Sequence, residues 1–387
     1  MKHSIDRIRT THVGSLPRPH DLLDMLKLRL AGEPVDEAAF QALLKRSVED
    51  MVGKQVEAGL DTVADGEMSK PGHAVYINDR LSGFEARPDT EVPIYVEEKA
   101  AFPEYYEDYF QRAMLGGAIA PSAPMFCVGA IRYVGQEALK TDLENLQAAV
   151  DKYGCDEAFM PSAAVTGVGF NEYYPSEEAY MFALADAISE EYRAIIDAGF
   201  LLQVDDPFLP NVYMDTSLDE AARLAKASLY VDAVNHSLKG IPSEKVRFHT
   251  CYGINQGPRI YEPDLPDMID QVLRVNAGAY SFEAGNPRHE HEYHLWENVK
   301  LPDGKLIIPG VITHASSVVE HPEYVAERIV RFAERVGREN VIASADCGFS
   351  SQAMYKTEVE PRIVWAKFKA LSEGAKIASS RLWELVA

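Results

Sequence analysis

A helix followed by a buried strand is encoded in residues 176–205, which read SEEAYMFALADAISEEYRAIIDAGFLLQVD. Apolar side chains recur at helical spacing over residues 176–198, and Gly199 ends the helical pattern. Residues 200–205 then form a short, mostly apolar run, which is typical of a strand buried on both faces. A helix alternating with such a strand is the repeating unit of parallel α/β folds.

The same alternation continues along most of the chain. Further helical patterns cover residues 35–57, 217–238 and 322–336. The strand-like runs are residues 10–15, 60–66, 158–163, 200–205, 245–251, 279–283, 307–312 and 341–347. Eight such runs interleaved with helices predict an α/β fold, a (β/α)8 TIM barrel built as one domain over residues 1–387. A doubly wound open sheet is the alternative, because one sequence does not fix the number of strands.

Residues 83–131 interrupt this regular pattern. Between Gly83 and Pro124 the chain is acidic and rich in aromatic side chains, and residues 125–131 look like a ninth strand. We expect an inserted hairpin together with a lid over the barrel. A solvated surface insertion, or a contact between identical chains, is the alternative, since long loops serve either purpose.

The net charge of −22 excludes whole classes of partner. Nucleic acids and anionic membranes bind clustered Lys and Arg, so neither is expected here. No apolar stretch is long enough to span a bilayer, and residues 1–6 lack the apolar core of a signal peptide, which predicts a cytoplasmic protein. Four cysteines are too few for a disulfide scaffold in 387 residues. Small molecules remain as partners, and a homo-oligomer stays open.

Four potential metal ligands lie at or just past the C-terminal ends of predicted strands, where barrel enzymes build their sites. They are His249, Cys251, Glu283 and Cys347. His249 and Cys251 are two residues apart in a strand, so their side chains point to the same face. Two thiolates, one imidazole and one carboxylate suit tetrahedral Zn²⁺. The sequence therefore predicts a zinc site.

This ligand set also indicates what the zinc does. Three anionic ligands leave the ion a weak Lewis acid, but it can still bind a thiol as thiolate below the usual thiol pKa of about 8.5. The predicted chemistry is attack by sulfur on an electrophilic carbon. A closed structural site is the alternative, although such sites mostly use only Cys and His, so Glu283 favours an open catalytic site.

These residues resemble the C-terminal catalytic barrel of the cobalamin-independent methionine synthase family, over nearly the whole chain. The matching elements are Thr11-His12-Val13-Gly14-Ser15, Asp65-Gly66-Glu67, Gln203-Val204-Asp205-Asp206-Pro207, His249-x-Cys251, Glu283 and Cys347-Gly348. The resemblance implies that Ser15, Glu67 and Asp205, with His12 beside them, hold the polar end of a thiol such as homocysteine. Glu67 and Asp205 are suitable partners for its ammonium group. Their alternative role is to cap loops or pair with basic residues.

The chain departs from the family pattern in two places. The segment that carries the family's folate-stacking Trp, residues 165–174 here, contains no Trp, so Phe170, Tyr173 or Tyr174 stacks on a pterin or the folate site is gone. The family's "GVYDIHS" element reads GVITHAS at residues 310–316, which puts His314 one position early. A slip of one residue along a strand reverses the side chain, but a loop would allow His314 to act as the catalytic acid or base.

Residues 286–294 read NPRHEHEYH, a dense mixture of His and acidic side chains. We predict a substrate-binding role for Arg288 and His289, with a second metal site or a solvated loop as alternatives. The same element occurs in shorter relatives that resemble epoxyalkane:coenzyme M transferase, which also use zinc to activate a thiol.

The first functional hypothesis is a zinc-dependent S-methyltransferase. It moves a methyl group from 5-methyltetrahydrofolate, or from a simpler methyl donor, to a thiol such as homocysteine. The second is zinc-dependent addition of a thiol to an activated electrophile such as an epoxide. The missing Trp favours this second reaction, but an acidic thiol such as coenzyme M needs Arg18 or Arg288 in the pocket. A non-catalytic zinc-binding barrel is the third hypothesis, and the intact ligand set argues against it.

Overall fold

The structure is a computed structural model that describes residues 1–73, 75–113, 117–120, 123–253 and 256–384. The strands, in chain order, are β1 Arg9–Thr10, β2 Thr62–Val63, β3 Leu81–Ala86, β4 Met125–Tyr133, β5 Glu157–Ala163, β6 Phe170–Asn171, β7 Leu201–Asp205, β8 Val246–His249, β9 Ala279–Phe282, β10 Leu306–Ile312 and β11 Ile342–Ala345. The α-helices are His20–Leu30, Glu37–Glu57, Val96–Ala101, Pro103–Arg112, Gln136–Tyr153, Glu177–Asp197, Leu209–Met214, Glu220–Ser237, Leu265–Arg274, Pro322–Val336 and Pro361–Glu384.

Eight of the strands form one parallel sheet in the order β1-β11-β10-β9-β8-β7-β5-β2. Neighbours in the sheet are also neighbours along the chain once β3, β4 and β6 are set aside. The Asp61 amide donates to the Thr10 carbonyl at 3.0 Å, and Thr11 Oγ1 donates to the Thr62 carbonyl at 3.2 Å. These bonds link β2, at one end of this strand order, to β1, at the other end. The predicted (β/α)8 barrel is confirmed, and the open-sheet alternative is wrong.

The predicted helices form because their first residues are efficient caps. The side chains of Asp36, Ser176 and Asp219 each accept a hydrogen bond from the backbone amide three residues further on. The helix Glu177–Asp197 shows how the helices cover the barrel. It buries one face, and its Tyr192 hydroxyl donates to the Ala163 carbonyl at the end of β5 at 2.7 Å.

The first two barrel strands are much shorter than predicted. β1 and β2 contain two residues each, whereas the apolar runs cover residues 10–15 and 60–66. Positive φ angles at Gly14 (132°), Gly66 (72°) and Glu67 (58°) turn the chain out of the sheet beyond each strand. Ser15 and Glu67 therefore lie in loops at the carboxyl ends of the strands.

The predicted hairpin is present in the inserted segment. β3 and β4 pair antiparallel, and β6 joins β4 in parallel. Two short helices follow β3 and contact loops beyond the barrel strands. Thr216 Oγ1 donates to Glu97 Oε1 at 2.7 Å, and the Tyr261 amide donates to Glu98 Oε1 at 3.0 Å. The segment thus lies across the carboxyl ends of β7 and β8. Residues 114–116 and 121–122 of the predicted insertion lie outside the described residues.

Candidate metal centre and substrate pocket

Three of the four predicted ligands meet at the carboxyl end of the barrel. His249 ends β8, and Cys251 and Cys347 lie in the loops after β8 and β11. One potential ligand atom from each lies within 4.8 Å of the other two, and all three residues are buried. The hydrogen bond that the Cys347 thiol shares with Cys251, together with burial, raises the pKa of Cys347 well above its usual value. A metal cation would reverse that effect, because it favours the thiolate.

His249 is oriented as a metal ligand would be. Its Nδ1 lies 3.0 Å from Ser281 Oγ, which stands opposite it on β9, and its buried Nε2 has no hydrogen-bond partner among the described residues. Burial lowers the pKa of His249 to about 3, so the ring is neutral, and in the tautomer whose Nδ1 donates to Ser281 Oγ the lone pair of Nε2 is free. A buried polar atom without a partner needs an explanation, and a metal ion beside two thiols provides one. The residues present therefore fit Zn²⁺.

Glu283, the fourth predicted ligand, has its carboxylate turned towards Arg259. Its Oε2 accepts hydrogen bonds from Arg259 Nη2 at 2.9 Å and Asn286 Nδ2 at 2.7 Å. Its Oε1 accepts a weak bond from the Tyr252 amide at 3.4 Å, directly after Cys251. Burial alone would raise the pKa of Glu283, but the charges of Arg259, His314 and His289, together with the hydrogen bond from Arg259, outweigh burial and lower it to about 2. The structure thus places an ionised carboxylate next to the three donors rather than among them.

Arg259 is a residue that the sequence did not indicate. It is buried, it has a φ of 55°, and its Nε donates to Glu262 Oε1 at 2.6 Å. Glu262 also lies 3.1 Å from His289 Nε2, and the His289 ring stacks on Tyr252 with centroids 4.3 Å apart. A buried chain of alternating charges therefore supports the loop that follows Cys251.

The structure places His289 inside this chain of charges. Burial would lower its pKa, but the Glu262 and Glu292 carboxylates raise it to about 9, so the ring is protonated. Arg288, its neighbour, is half-buried. The buried His289 thus pairs with protein carboxylates, whereas the sequence predicted a contact with substrate.

Three predicted substrate residues surround the metal donors. Asp205 ends β7 and pairs in register with His249. Ser15 Oγ abuts Gly348, so closely that a Cβ on Gly348 would collide with it, which brings Ser15 beside Cys347. Glu67 is buried, and its Oε2 has no hydrogen-bond partner in the part of the chain that the structure describes. Burial and the nearby Glu67 charge raise the pKa of Asp205 well above its usual value.

His73 completes this acidic pocket and was missed in the sequence. Glu67, His73 and Asp205 each offer a potential ligand atom within 4.8 Å of the others, and His73 Nδ1 lies 3.8 Å from Asp205 Oδ2. His73 follows Glu67 by six residues in an irregular loop, so no periodic pattern marked it. Burial lowers the pKa of His73, which keeps its ring from supplying a positive charge, and two close carboxylates then favour a cationic ligand such as an ammonium group.

His12 lies behind this pocket. Its Nε2 donates to Gln55 Oε1 at 2.8 Å, and its Nδ1 accepts from the Gly14 amide at 3.2 Å. Burial lowers its pKa to about 3, so the ring is neutral. The structure therefore gives His12 the position of a support for the Gly14–Ser15 turn.

His314 lies beside Glu283 near the candidate metal centre, although it stands one position early relative to the family's sequence pattern. β10 ends at Ile312, so His314 lies in a loop and the rule for strand faces does not apply to it. Its ring lies with the carboxylates of Glu283 and Asp346, and its buried Nδ1 lacks a partner among the residues described. Burial lowers its pKa to about 4.

The three aromatic residues proposed to stack on a donor lie around β6. Phe170 is 44% exposed and packs on Phe126, and Tyr173 is 54% exposed. The Tyr174 hydroxyl accepts from the Ile131 amide at 3.0 Å and so fastens this strand to the hairpin. A different aromatic residue, Phe208, lines a cleft together with His73 and Asp205.

Comparison with known proteins identifies the family. The model for the catalytic domain of the cobalamin-independent synthases matches residues 137–363, which is more than half of the chain. The chain belongs to this family. Membership makes the protein a methyltransferase. The position of the candidate metal donors and the acidic pocket at one edge of the sheet is consistent with a cobalamin-independent synthase barrel.

Relatives and solved structures agree with this assignment to the cobalamin-independent synthases. A methionine synthase from Sulfolobus acidocaldarius is 25% identical over 349 residues, which are 90% of this chain and 87% of the relative. One from Thermococcus kodakarensis is 26% identical over 376 residues, covering 96% and 94%. The structure of a B12-independent methionine synthase from Shewanella sp. W3-18-1, in complex with selenomethionine, matches with a TM-score of 0.69 at 19% identity and covers 98% of this chain and 99% of that one. This structural likeness supports the fold.

Among the residues that the structure describes, none of the helices combines the length and the apolar character that crossing a bilayer requires.

Proposed function

We propose that this protein methylates the sulfur of homocysteine, with Zn²⁺ held by His249, Cys251, Cys347 and, as a fourth ligand, Glu283. The observation that carries the proposal is the meeting of two thiols and an unpaired imidazole nitrogen within 4.8 Å of one another. When bound there, zinc supplies a nucleophilic thiolate at neutral pH. Family membership supports the transfer of a methyl group.

The acidic pocket selects the thiol. The ammonium group of homocysteine would pair with Asp205 and the unpartnered oxygen of Glu67, and Ser15 Oγ would hold its carboxylate. This pairing relieves the repulsion between Glu67 and Asp205, which is unfavourable while no cation lies between them. Orienting the amino acid in this way also places its sulfur at the metal centre, since Ser15 borders Cys347 and Asp205 pairs with His249.

An acidic thiol such as coenzyme M is a poorer match. Arg18, the first candidate for binding a sulfonate, donates from Nε to the Glu67 carbonyl at 3.1 Å and from Nη1 to the Ser350 carbonyl at 2.9 Å. Two of the three guanidinium nitrogens are therefore bound to the backbone, and the buried Nη2 has no hydrogen-bond partner among the described residues. A sulfonate would also approach the carboxylates of Glu67 and Asp205, so this pocket favours an amino acid thiol over the epoxide-type reaction with coenzyme M.

His314 is our candidate for moving a proton during the reaction. Its ring lies beside the carboxylates of Glu283 and Asp346, and the amides of Ala284 and Gly285 donate to Asp346 Oδ1 at 2.8 and 2.6 Å. This rigid surrounding fixes the ring close to the metal donors. A proton released by the thiol can therefore be held within the site.

Zinc-edge X-ray absorption of the purified protein tests the proposal. We expect two sulfur ligands without substrate and three after addition of homocysteine, because the substrate sulfur joins Cys251 and Cys347. Coenzyme M should leave the two-sulfur shell unchanged at the same concentration. A protein that binds no zinc, or a shell that responds to coenzyme M and not to homocysteine, would contradict the proposal.

Replacement of Asp205 by asparagine tests the ammonium pocket. We expect the KM for homocysteine to rise roughly 10- to 100-fold with little change in kcat, because a charged hydrogen bond worth about 1.5–3 kcal/mol is lost in binding. The matched probe is 4-mercaptobutanoate, which is homocysteine without its amino group. The wild-type protein should strongly prefer homocysteine, and D205N should lose most of this preference. An unchanged preference would place the ammonium group elsewhere.

A further inference from the structure

The segment 83–113 gives the entrance of the barrel a strongly negative charge. It contains eight acidic and three basic residues, a net charge of −5. Two of the basic residues are already paired. Arg87 donates to both carboxylate oxygens of Glu172 at 2.9 and 2.8 Å, and Arg112 donates to Asp108 at 2.7 Å. The remaining field repels anions that approach the entrance.

This segment lies close to the metal centre. The Tyr95 hydroxyl lies 3.5 Å from the Tyr252 carbonyl and would be 2.7 Å from a Cβ built on Gly253, which is two residues after Cys251. Tyr95 has a φ of 51°, a conformation that is unfavourable for a non-glycine residue and is retained only where surrounding contacts hold it. A substrate on its way to the metal therefore passes the acidic segment.

The buried cations of the pocket are bound to other parts of the protein. Lys70 Nζ donates to the Pro161 carbonyl at 2.6 Å and lies 4.3 Å from the centre of the Tyr76 ring. Arg247 Nη2 donates to the His12 carbonyl at 2.8 Å. Like Arg18, these side chains are held in place by backbone carbonyls, and only Arg18 Nη2 and Arg247 Nε of these three cations are buried without a partner among the described residues. An anionic tail would gain few ion pairs here to offset its repulsion by the entrance.

The cleft beside Asp205 is also small. Its cavity volume is only about 10 Å³, far below the roughly 300–1,000 Å³ typical of pockets for drug-sized ligands. Phe208 lies directly against Gly167, so closely that any side chain at residue 167 would collide with its ring. The segment 165–174 supplies no Trp on which a pterin could stack. The small size of the cleft and the negative charge of the segment 83–113 thus both disfavour a large, anionic donor.

We propose that the methyl donor is a small neutral or cationic molecule, and that the acidic segment 83–113 and the narrow cleft together discriminate against polyanionic donors such as polyglutamyl folates. The methyl-transfer reaction in this inference rests on the proposed function, whereas the preference of the protein for one class of donor can be measured without it. In the transfer, the sulfur–carbon bond forms as the bond from the methyl carbon to its donor atom breaks, and the electron pair leaves with that atom. A sulfonium donor then departs as a neutral thioether. A neutral donor takes up the proton that the homocysteine thiol released.

Calorimetric binding at low ionic strength tests the charge selection without any need for turnover. The probes are tetrahydropteroylmonoglutamate and tetrahydropteroyltriglutamate, which differ by two carboxylates. We expect the wild-type protein to bind the triglutamate at least about tenfold more weakly, with a difference that shrinks as salt screens the field. Tighter binding of the triglutamate would overturn the inference, whereas failure to bind either folate would support it.

A double charge reversal localises the effect. Glu104 and Glu107 are exposed on the helix Pro103–Arg112, and the structure records no ion pair for either with the described residues. E104K/E107K should bind the triglutamate at least about tenfold more tightly than the wild-type protein does. The control, E137K/E144K, changes the net charge equally on the exposed side of the helix Gln136–Tyr153 and should have little effect. Equal effects of both pairs would rule out selection by segment 83–113.

Turnover separates this inference from the proposed function. We expect S-methylmethionine, a sulfonium, to methylate homocysteine with a kcat/KM at least about tenfold above that of 5-methyltetrahydropteroyltriglutamate. A higher kcat/KM for the folate would overturn the inference and leave the proposed function standing. If neither donor methylates homocysteine and the zinc shell never gains a sulfur, the proposed function fails, and the binding comparison still decides the donor inference.

Discussion

Replacement of Cys251 by serine is expected to remove the bound zinc and to abolish methyl transfer to homocysteine. Loss of an outer hydrogen-bond partner of a metal ligand costs roughly 10- to 100-fold in metal affinity or activity, and loss of a thiolate ligand itself should cost more. The remaining proposed ligands, His249, Cys347 and Glu283, leave one position of a tetrahedral site to solvent and only one thiolate on the ion. Zinc content by mass spectrometry and the initial rate of homocysteine methylation measure the two effects.

Cys127 provides the matched control for this substitution. It is also a buried free cysteine, but it lies in the hairpin, where its Sγ contacts the Gly129 carbonyl at 3.4 Å. C127S should retain zinc and activity, with at most a small loss of stability. If C251S kept its zinc and its rate, or if C127S lost both, the metal centre would have to be sought elsewhere.

Replacement of Arg259 by methionine is expected to lower the free energy of unfolding by about 3–5 kcal/mol. Removing one partner of a buried ion pair leaves an uncompensated charge, and here two carboxylates, Glu262 and Glu283, would be left. Both carboxylates are nearly inaccessible to solvent, so water cannot replace the guanidinium. Urea unfolding of the metal-free protein, followed by circular dichroism, gives the free energy directly.

Arg274 serves as the control, because it forms an exposed ion pair with Asp232 at 2.7 Å. R274M should cost no more than about 1 kcal/mol, as surface pairs do. Equal losses of unfolding free energy in R259M and R274M would show that the ion pairs of Arg259 are not effectively buried. A normal unfolding curve with reduced zinc affinity would instead show that Arg259 acts only on the metal ligands.

The sequence predicted the barrel because its strands are buried on both faces. Residues 200–205 and 307–312 are nearly continuous apolar runs, and the strands Leu201–Asp205 and Leu306–Ile312 match them within one residue. His249 and Cys251 do meet as predicted, but β8 ends at His249, so the alternation of side chains along a strand does not by itself explain the position of Cys251. Parallel strands ending at one edge were then enough to bring Cys347 to the same place.

The side-chain contacts made by the loops could not be predicted from the pattern of apolar residues. Arg259 reaches Glu283 across 24 residues of sequence, through a backbone conformation that only tertiary contacts maintain. His73 faces Asp205 from an irregular loop, and His289 turned out to pair with Glu262 and Glu292. No periodicity encodes such contacts, because each depends on where an irregular segment folds back against the rest of the protein.

The arrangement of the donors along the chain affects how the protein acquires its metal. Cys347 follows Cys251 by 96 residues. During synthesis on the ribosome, the proposed ligands His249, Cys251 and Glu283 therefore emerge before Cys347, and a ligand set with a single thiolate holds zinc weakly. The complete ligand set exists only after β11 has joined β1 and closed the barrel. Metal capture should consequently be a late event, which reports that the barrel has folded correctly.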